Sequence, residues 1–163
     1  MLTDMNKPPY EGNFKIYRSS NSSSWDLIYE DHNLIVNKAR EILRDLMFGD
    51  SNNLISSIQF GDMNLGETDD IKNVPEASLN DTGLIHKLYE KDVTKRKVTV
   101  EQSPGIEYTC ILGLDELNGD GSQLLTEYGL FTEGGEMFAK KNRAGIFKDS
   151  DSSLKFVWTI IFN

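Results

Sequence analysis

The sequence predicts a mainly β, β-sandwich-like domain with one amphipathic helix packed on it and an extended N-terminal arm. Three observations carry that class. Residues 154–162 read Leu-Lys-Phe-Val-Trp-Thr-Ile-Ile-Phe. At the strand period of two, Leu154, Phe156, Trp158, Ile160 and Phe162 share one face, and Lys155, Val157, Thr159 and Ile161 share the other. One face is wholly apolar and the second is mixed, as in a central or near-central strand of a sandwich. Further strand-like runs are separated by clusters of turn formers. Only one clear stretch follows the helical period.

In chain order, residues 1–24 stand apart. They hold Pro8 and Pro9, then the polar tract Ser19 to Ser24. Tyr10, Phe14, Ile16 and Tyr17 are too apolar for a solvated tail. They read as an extended arm that lies either on a partner or back on its own domain, with the serine tract as its hinge. As a clasp on a partner, the arm would be dispensable for folding.

The domain proper is expected over residues 25–163. Residues 25–30 form a short strand or helix lead-in, and Asp31-His32-Asn33 offers N-cap side chains. A helix is predicted over 34–47, with Ile35, Ala39, Ile42 and Leu46 on one face and Gly49 as its stop. Leu54–Phe60 reads as a strand. Residues 61–83 form a long loop rich in turn formers and acids. Strands follow at 84–90, 92–101, 106–114, 125–132, 136–141 and 154–162. Ser103-Pro104-Gly105 and Glu133-Gly134-Gly135 are read as two of the turns between them.

Composition narrows the function. With 163 residues, one domain is the default. The net charge is -9 and hydrophobic residues make up 38%, so the chain repels a phosphate backbone and nucleic acid is not an expected partner. Lys91, Lys95, Arg96 and Lys97 form one basic cluster, interrupted by Asp92 and flanked by Glu90; this reads as a solvated strand face. The single cysteine, Cys110, sits in an apolar run and packs as a small hydrophobe; one thiol excludes an intrachain disulfide. The apolar run at Phe156–Phe162 is too short to span a bilayer, so no membrane partner is expected. The N-terminus lacks a basic region followed by an apolar one, so no signal peptide is expected.

Three groups of residues are candidates for chemistry. Glu116, Asn118, Asp120, Ser122 and Glu127 fall at positions 1, 3, 5, 7 and 12 of a calcium loop, with Gly121 at position 6. Position 1 is normally Asp, position 8 apolar rather than Gln123, and helices should flank the loop. An Asn-Gly-Asp-Gly turn between strands explains the same residues without metal. Asp62, Glu67, Asp69, Asp70, Glu76 and Asp81 crowd the long loop, but nothing in the spacing sets a catalytic carboxylate pair. His32 and His86 have no visible nucleophile to serve, and no P-loop, dinucleotide fingerprint, Gly-x-Ser-x-Gly or His-Glu-x-x-His is present. The expectation is therefore no catalytic residue, no cofactor and no resident metal.

The C-terminal block is the most informative. Thr126-Glu127-Tyr128-Gly129-Leu130-Phe131 is followed by the hairpin return Met137-Phe138-Ala139-Lys140. Then come Ile146-Phe147-Lys148, the turn Asp149-Ser150-Asp151, and Ser153-Leu154 through Trp158-Thr159-Ile160-Ile161-Phe162. This arrangement resembles a block in virion proteins of tailed bacteriophages, of the tail, baseplate or fibre-attachment type. The likeness covers about residues 120–162, is loose over 30–120 and does not reach the arm. It implies a non-enzymatic structural subunit, located in the virion and assembled in the bacterial host cytoplasm. Its partners would be other virion proteins and copies of itself, as a homo-oligomer in the particle. Head decoration or a collar or neck position is the second station. Tyr10, Phe14, Ile16 and Tyr17 would then form a partner interface. A reading of another class is a calcium- or carbohydrate-binding sandwich module, with Trp25, Tyr10 and the acidic loop as its candidates.

Overall fold

The computed structural model describes residues 7–66 and 68–163. Among them nine strands and one α-helix form the fold: β1 Tyr10–Ser19, β2 Asp26–Ile35, α1 Ala39–Phe48, β3 Ile55–Gly61, β4 Lys87–Asp92, β5 Thr94–Val100, β6 Ser103–Leu112, β7 Ser122–Thr132, β8 Met137–Asp149 and β9 Ser153–Phe162. The strands make one antiparallel sheet in the order β4-β3-β7-β8-β2-β1-β9-β6-β5. The mainly β class with one helix is as the sequence predicts.

The sheet curls, and aromatic side chains show how its halves meet. Phe14 of β1 lies 4.8 Å from Trp158 of β9 and 5.2 Å from Tyr128 of β7, between ring centroids. Phe156 of β9 lies 4.8 Å from Phe60 of β3 and 5.5 Å from Tyr128. All five rings are buried. Each fully buried ring is worth about 1.5–3 kcal/mol by transfer, and edge-to-face or offset pairs add about 0.5–1.5 kcal/mol. The two halves join through β2, which pairs with β1 over most of its length but with β8 only at Leu34↔Lys140 and Ile35↔Ala139.

β9 is a central strand, flanked by β1 and β6, as its alternation predicts. β1 takes the second of the two alternatives for the expected arm and lies back on its own domain. It pairs with β9 from Tyr10↔Phe162 to Ser19↔Ser153, and Phe14 and Ile16 are fully buried. Tyr10 and Tyr17 are half-buried on the same strand. Residues 10–19 therefore pack in cis, and Phe14 and Ile16 cannot clasp a partner; residues 1–6 lie outside the described residues. The serine tract is no free hinge either. Ser19 Oγ accepts the N–H of Ser22 at 2.8 Å, and Asn21 Oδ1 accepts those of Ser23 and Ser24 at 3.0 and 3.1 Å. These side-chain bonds build the β1–β2 turn.

The helix begins later than predicted. Leu34 and Ile35 are held as strand by β8, so helical geometry starts at Ala39 without a side-chain cap. Gly49 ends it as expected, at φ 110 in the left-handed region, with its N–H on the carbonyls of Asp45 and Leu46. The Ser103-Pro104-Gly105 turn is also displaced. These residues belong to β6, and the chain reverses at Glu101 and Gln102, with φ of 48 and 72. Positive φ at both centres is the hairpin geometry that suits strand twist. Pairs alternate along such a hairpin, so Pro104 falls at a position bonded away from β5. β9 pairing starts only at Gly105↔Ile161, so no ladder bond is lost there.

Burial raises the Tyr108 hydroxyl and the Cys110 thiol to about 12 each, and raises Tyr128 as well. In the unfolded chain a cysteine ionises near ~8.5 and a tyrosine near ~10. Above those values the unfolded state binds fewer protons than the folded one. Stability should be insensitive to these groups below about pH 8 and fall between about pH 9 and 12, by up to ~1.4 kcal/mol per pH unit for each group. Urea unfolding across that range measures the slope. Deleting residues 1–19 removes a central strand and should unfold the domain. The readout is Cys110, whose thiol should resist a disulfide reagent at pH 8 in the intact chain and react at once in the deletion.

Candidate functional site

The most unusual side chain is Glu127, a fully buried acid in β7. Gly61 stands opposite it at the end of β3. A Cβ at residue 61 would lie 2.4 Å from the His86 carbonyl oxygen and 2.5 Å from Glu127 Oε1, so glycine is required by close approach. Through that gap the Glu127 carboxylate accepts the N–H groups of Met63 at 3.3 Å, Ile85 at 2.9 Å and His86 at 2.8 Å. Those donors sit at the two ends of the 62–86 loop.

Lys140 of β8 is the second buried charge, and its side chain is 3% exposed. The β7–β8 register sets Gly129 opposite Lys140 and Glu127 opposite Asn142, so Glu127 and Lys140 are diagonal neighbours on one face. Lys140 Nζ lies 3.7 Å from Glu127 Oε2 and 3.3 Å from Asp81 Oδ2, and donates to the Gly83 carbonyl at 3.2 Å. At the exposed rim, His86 Nδ1 is 2.7 Å from Asp62 Oδ1. The five side chains form one polar cluster that fastens a long loop to the sheet. The carboxylate is saturated by backbone donors, which suits a clamp.

The five residues considered for calcium do not act together. Glu116 receives Lys91 Nζ, the Tyr89 hydroxyl and the Gly113 N–H. Burial opposes its ionisation, but these partners outweigh that and hold its carboxyl below the usual range. Asn118 Oδ1 takes the buried Lys148 ammonium at 2.7 Å, whose own ionisation burial disfavours. A cation-binding oxygen is thus occupied by a protein cation. Ser122 opens β7, Asp120 lies in the preceding turn, and Glu127 serves the clamp. Among the described residues no group of three His, Cys, Asp or Glu is placed to hold a metal ion.

Three of the loop acids, Asp69, Asp70 and Asp81, bond local turns. Asp69 accepts the Gly66 N–H at 2.7 Å, Asp81 the Ser78 N–H at 2.9 Å, and Asp70 bonds both Lys72 and Asn73. The Asn73 amide in particular holds the Asp70 carboxyl below its usual range. Glu67 lies outside the described residues. The His32 carbonyl accepts a bond from Lys141 Nζ at 2.9 Å, and among the described residues no nucleophile is hydrogen-bonded to the His32 ring. Trp25 has Lys155 Nζ 4.8 Å over its ring, so one face is already covered.

On the surface, the end of α1 is the outlying feature. Met47 is 91% exposed and Phe48 85%, and Leu54 nearby is also exposed. Large apolar groups adjacent in sequence and open to water mark a contact surface more often than isolated ones do. Sequence reading missed this, because Met47 falls inside the helix predicted over 34–47 and Phe48 lies between that helix and its Gly49 stop. It also missed the clamp, although a Glu and a Lys inside buried strand runs were visible signals.

No protein-family model, no curated protein and no solved structure matches this chain.

Glu127→Gln puts an amide where two oxygens accept backbone donors. It should cost about 1–3 kcal/mol in urea unfolding and open the 62–86 loop to limited proteolysis. Lys140→Met leaves the three backbone N–H donors to stabilise the Glu127 charge, so it should cost less. Equal losses would mean that the ion pair, and not the backbone donors, carries the clamp.

Proposed function

We propose that this chain is a non-enzymatic structural subunit of a tailed-bacteriophage virion, stationed in the tail, baseplate or fibre attachment. It assembles with copies of itself and with other virion proteins in the bacterial host cytoplasm. The observation that carries a contact role is the open apolar end of α1, with Met47 and Phe48 almost fully solvated. A side chain such as Phe gains about 1.5–3 kcal/mol on burial, and no surface among the described residues supplies that burial here. Two further features support the reading. The charged groups of the buried cluster bond one another and the backbone, leaving a scaffold rather than a reactive centre. The C-terminal block that resembles phage virion proteins, Thr126–Phe162, coincides with most of β7, β8 and β9, which supply Tyr128, Phe156 and Trp158 to the core.

In this reading the contact surface is the end of the helix, and not the N-terminal strand that was one of the two alternatives the sequence left open. Head decoration or a collar position is the second station under the same reading. The calcium- or carbohydrate-binding alternative has no observation in its favour: the metal oxygens are divided among protein partners, and Trp25 is capped by Lys155.

The test uses particles of a phage that carries this coding sequence. Mass spectrometry of purified virions should find the chain in stoichiometric amount, and it should remain with the tails when heads are separated. Recovery with the heads would select the second station, and absence from particles would remove the proposal. The Met47→Glu, Phe48→Glu double variant should keep the parent melting temperature and be left out of particles.

A further inference from the structure

β5 is the last strand of the sheet, so one of its edges has no strand neighbour among the described residues. Its two-residue reversal at Glu101-Gln102 fixes which backbone groups are free. Val100↔Ser103 closes the hairpin, and bonded pairs then alternate along it at Val98↔Gly105 and Arg96↔Glu107. The N–H and C=O groups of Lys95, Lys97 and Thr99 accordingly point outward to the open edge. The same register puts the Lys95 and Lys97 side chains on the face of their partners Tyr108 and Ile106. That is the inner face of the curled sheet.

Beneath this edge runs a groove of about 360 Å³. Leu43 and Leu46 of α1 form one wall, and Ile106, Tyr108, Ile160 and Phe162 line the rest, with Lys95 and Lys97 on the rim. Arg96 faces the other way and is paired with Glu107. Among the described residues no carboxylate lies within ion-pair distance of Lys95 or Lys97. In a chain of net charge -9, two lysines with no ion-pair partner over an apolar groove offer positive charge to an incoming acidic group.

We infer that this edge and groove bind an extended, acidic and apolar peptide segment of another protein, added to the sheet as a strand beside β5. Backbone bonds to Lys95, Lys97 and Thr99 would hold the segment. Its inward side chains, at every second position, would offer carboxylates to the two lysines and a large apolar group to the groove. The same lysines decide against a second copy of this chain at the edge. Antiparallel pairing of β5 with β5 would set lysine against lysine on one face, which is repulsive. The device rejects self-pairing and selects an acidic partner by the same two charges. The inference stands on the edge and groove alone and does not need the virion reading.

A displayed library of random dodecapeptides, selected on the full chain, tests it. Enriched peptides should combine Asp or Glu with large apolar residues at alternating positions. The best of them, titrated by fluorescence anisotropy, should bind at least tenfold more weakly to the Lys95→Glu, Lys97→Glu double variant. Both sites are exposed, so that variant should melt with the parent. Thr99→Pro removes an outward N–H without touching either lysine or a bond to β6, and should weaken binding as well. Higher salt should weaken the parent complex. No enrichment over the double variant, enrichment of neutral or basic peptides, or equal affinity for parent and double variant would overturn the inference.

Discussion

The contact of five aromatic rings across the curled sheet is the constraint from which the rest follows. Phe14, Phe156 and Trp158 come from one half, and Phe60 and Tyr128 from the other. The only strand ladder between the halves among the described residues is the two-pair one between β2 and β8. A seam that short leaves the angle between the halves to side-chain packing. The rings set it, because close-packed interiors tolerate little change in volume. Once the halves face each other, one end of the core needs a cover, and α1 supplies Ala39 and Ile42 to it.

That closure also explains the buried charges. β7 is covered on both faces from Leu125 to Thr132, so an acid in it must find partners inside the protein. Glu127 finds three backbone donors in the long loop, and Gly61 makes the room. A loop of 25 residues between β3 and β4, numbers 62–86, is thereby tied down at both ends. Its own acids shape its turns. The polar chemistry that looked like a site in the sequence is largely the chemistry of holding an irregular segment still.

Much of the fold was legible because alternation is a local signal. Leu154 to Phe162 reads directly as a core strand, and Gly49 marks the end of the helix. Where reading failed, a longer-range interaction had overridden a local one. Leu34 and Ile35 fit a helical period but are claimed by β8. Ser-Pro-Gly is a stronger turn signal than Glu-Gln, yet the register of β6 against β9 puts the reversal at Glu101. The N-terminal strand did carry its signal, with Tyr10, Gly12, Phe14 and Ile16 alternating toward the interior. The flanking prolines and serines hid it. The polar cluster was harder, because Glu127, Lys140, Asp81 and His86 are brought together only by strand pairing and loop return. The apolar helix end and the basic rim of the groove depend on what the fold leaves uncovered, which periodicity does not report.

The pairing of β1 with β9 has a mechanical consequence. Tyr10 lies against Phe162, and the Asn163 N–H bonds the Pro9 carbonyl at 3.0 Å. The start of β1 and the end of β9 therefore lie together at one end of this antiparallel ladder. A load pulling residues 9 and 163 apart would meet the bonds one pair at a time, as in opening a zipper, and not all ten pairs in shear. The domain is built to be gripped by its surfaces; strung between its two ends, it would be a weak link in a chain under tension.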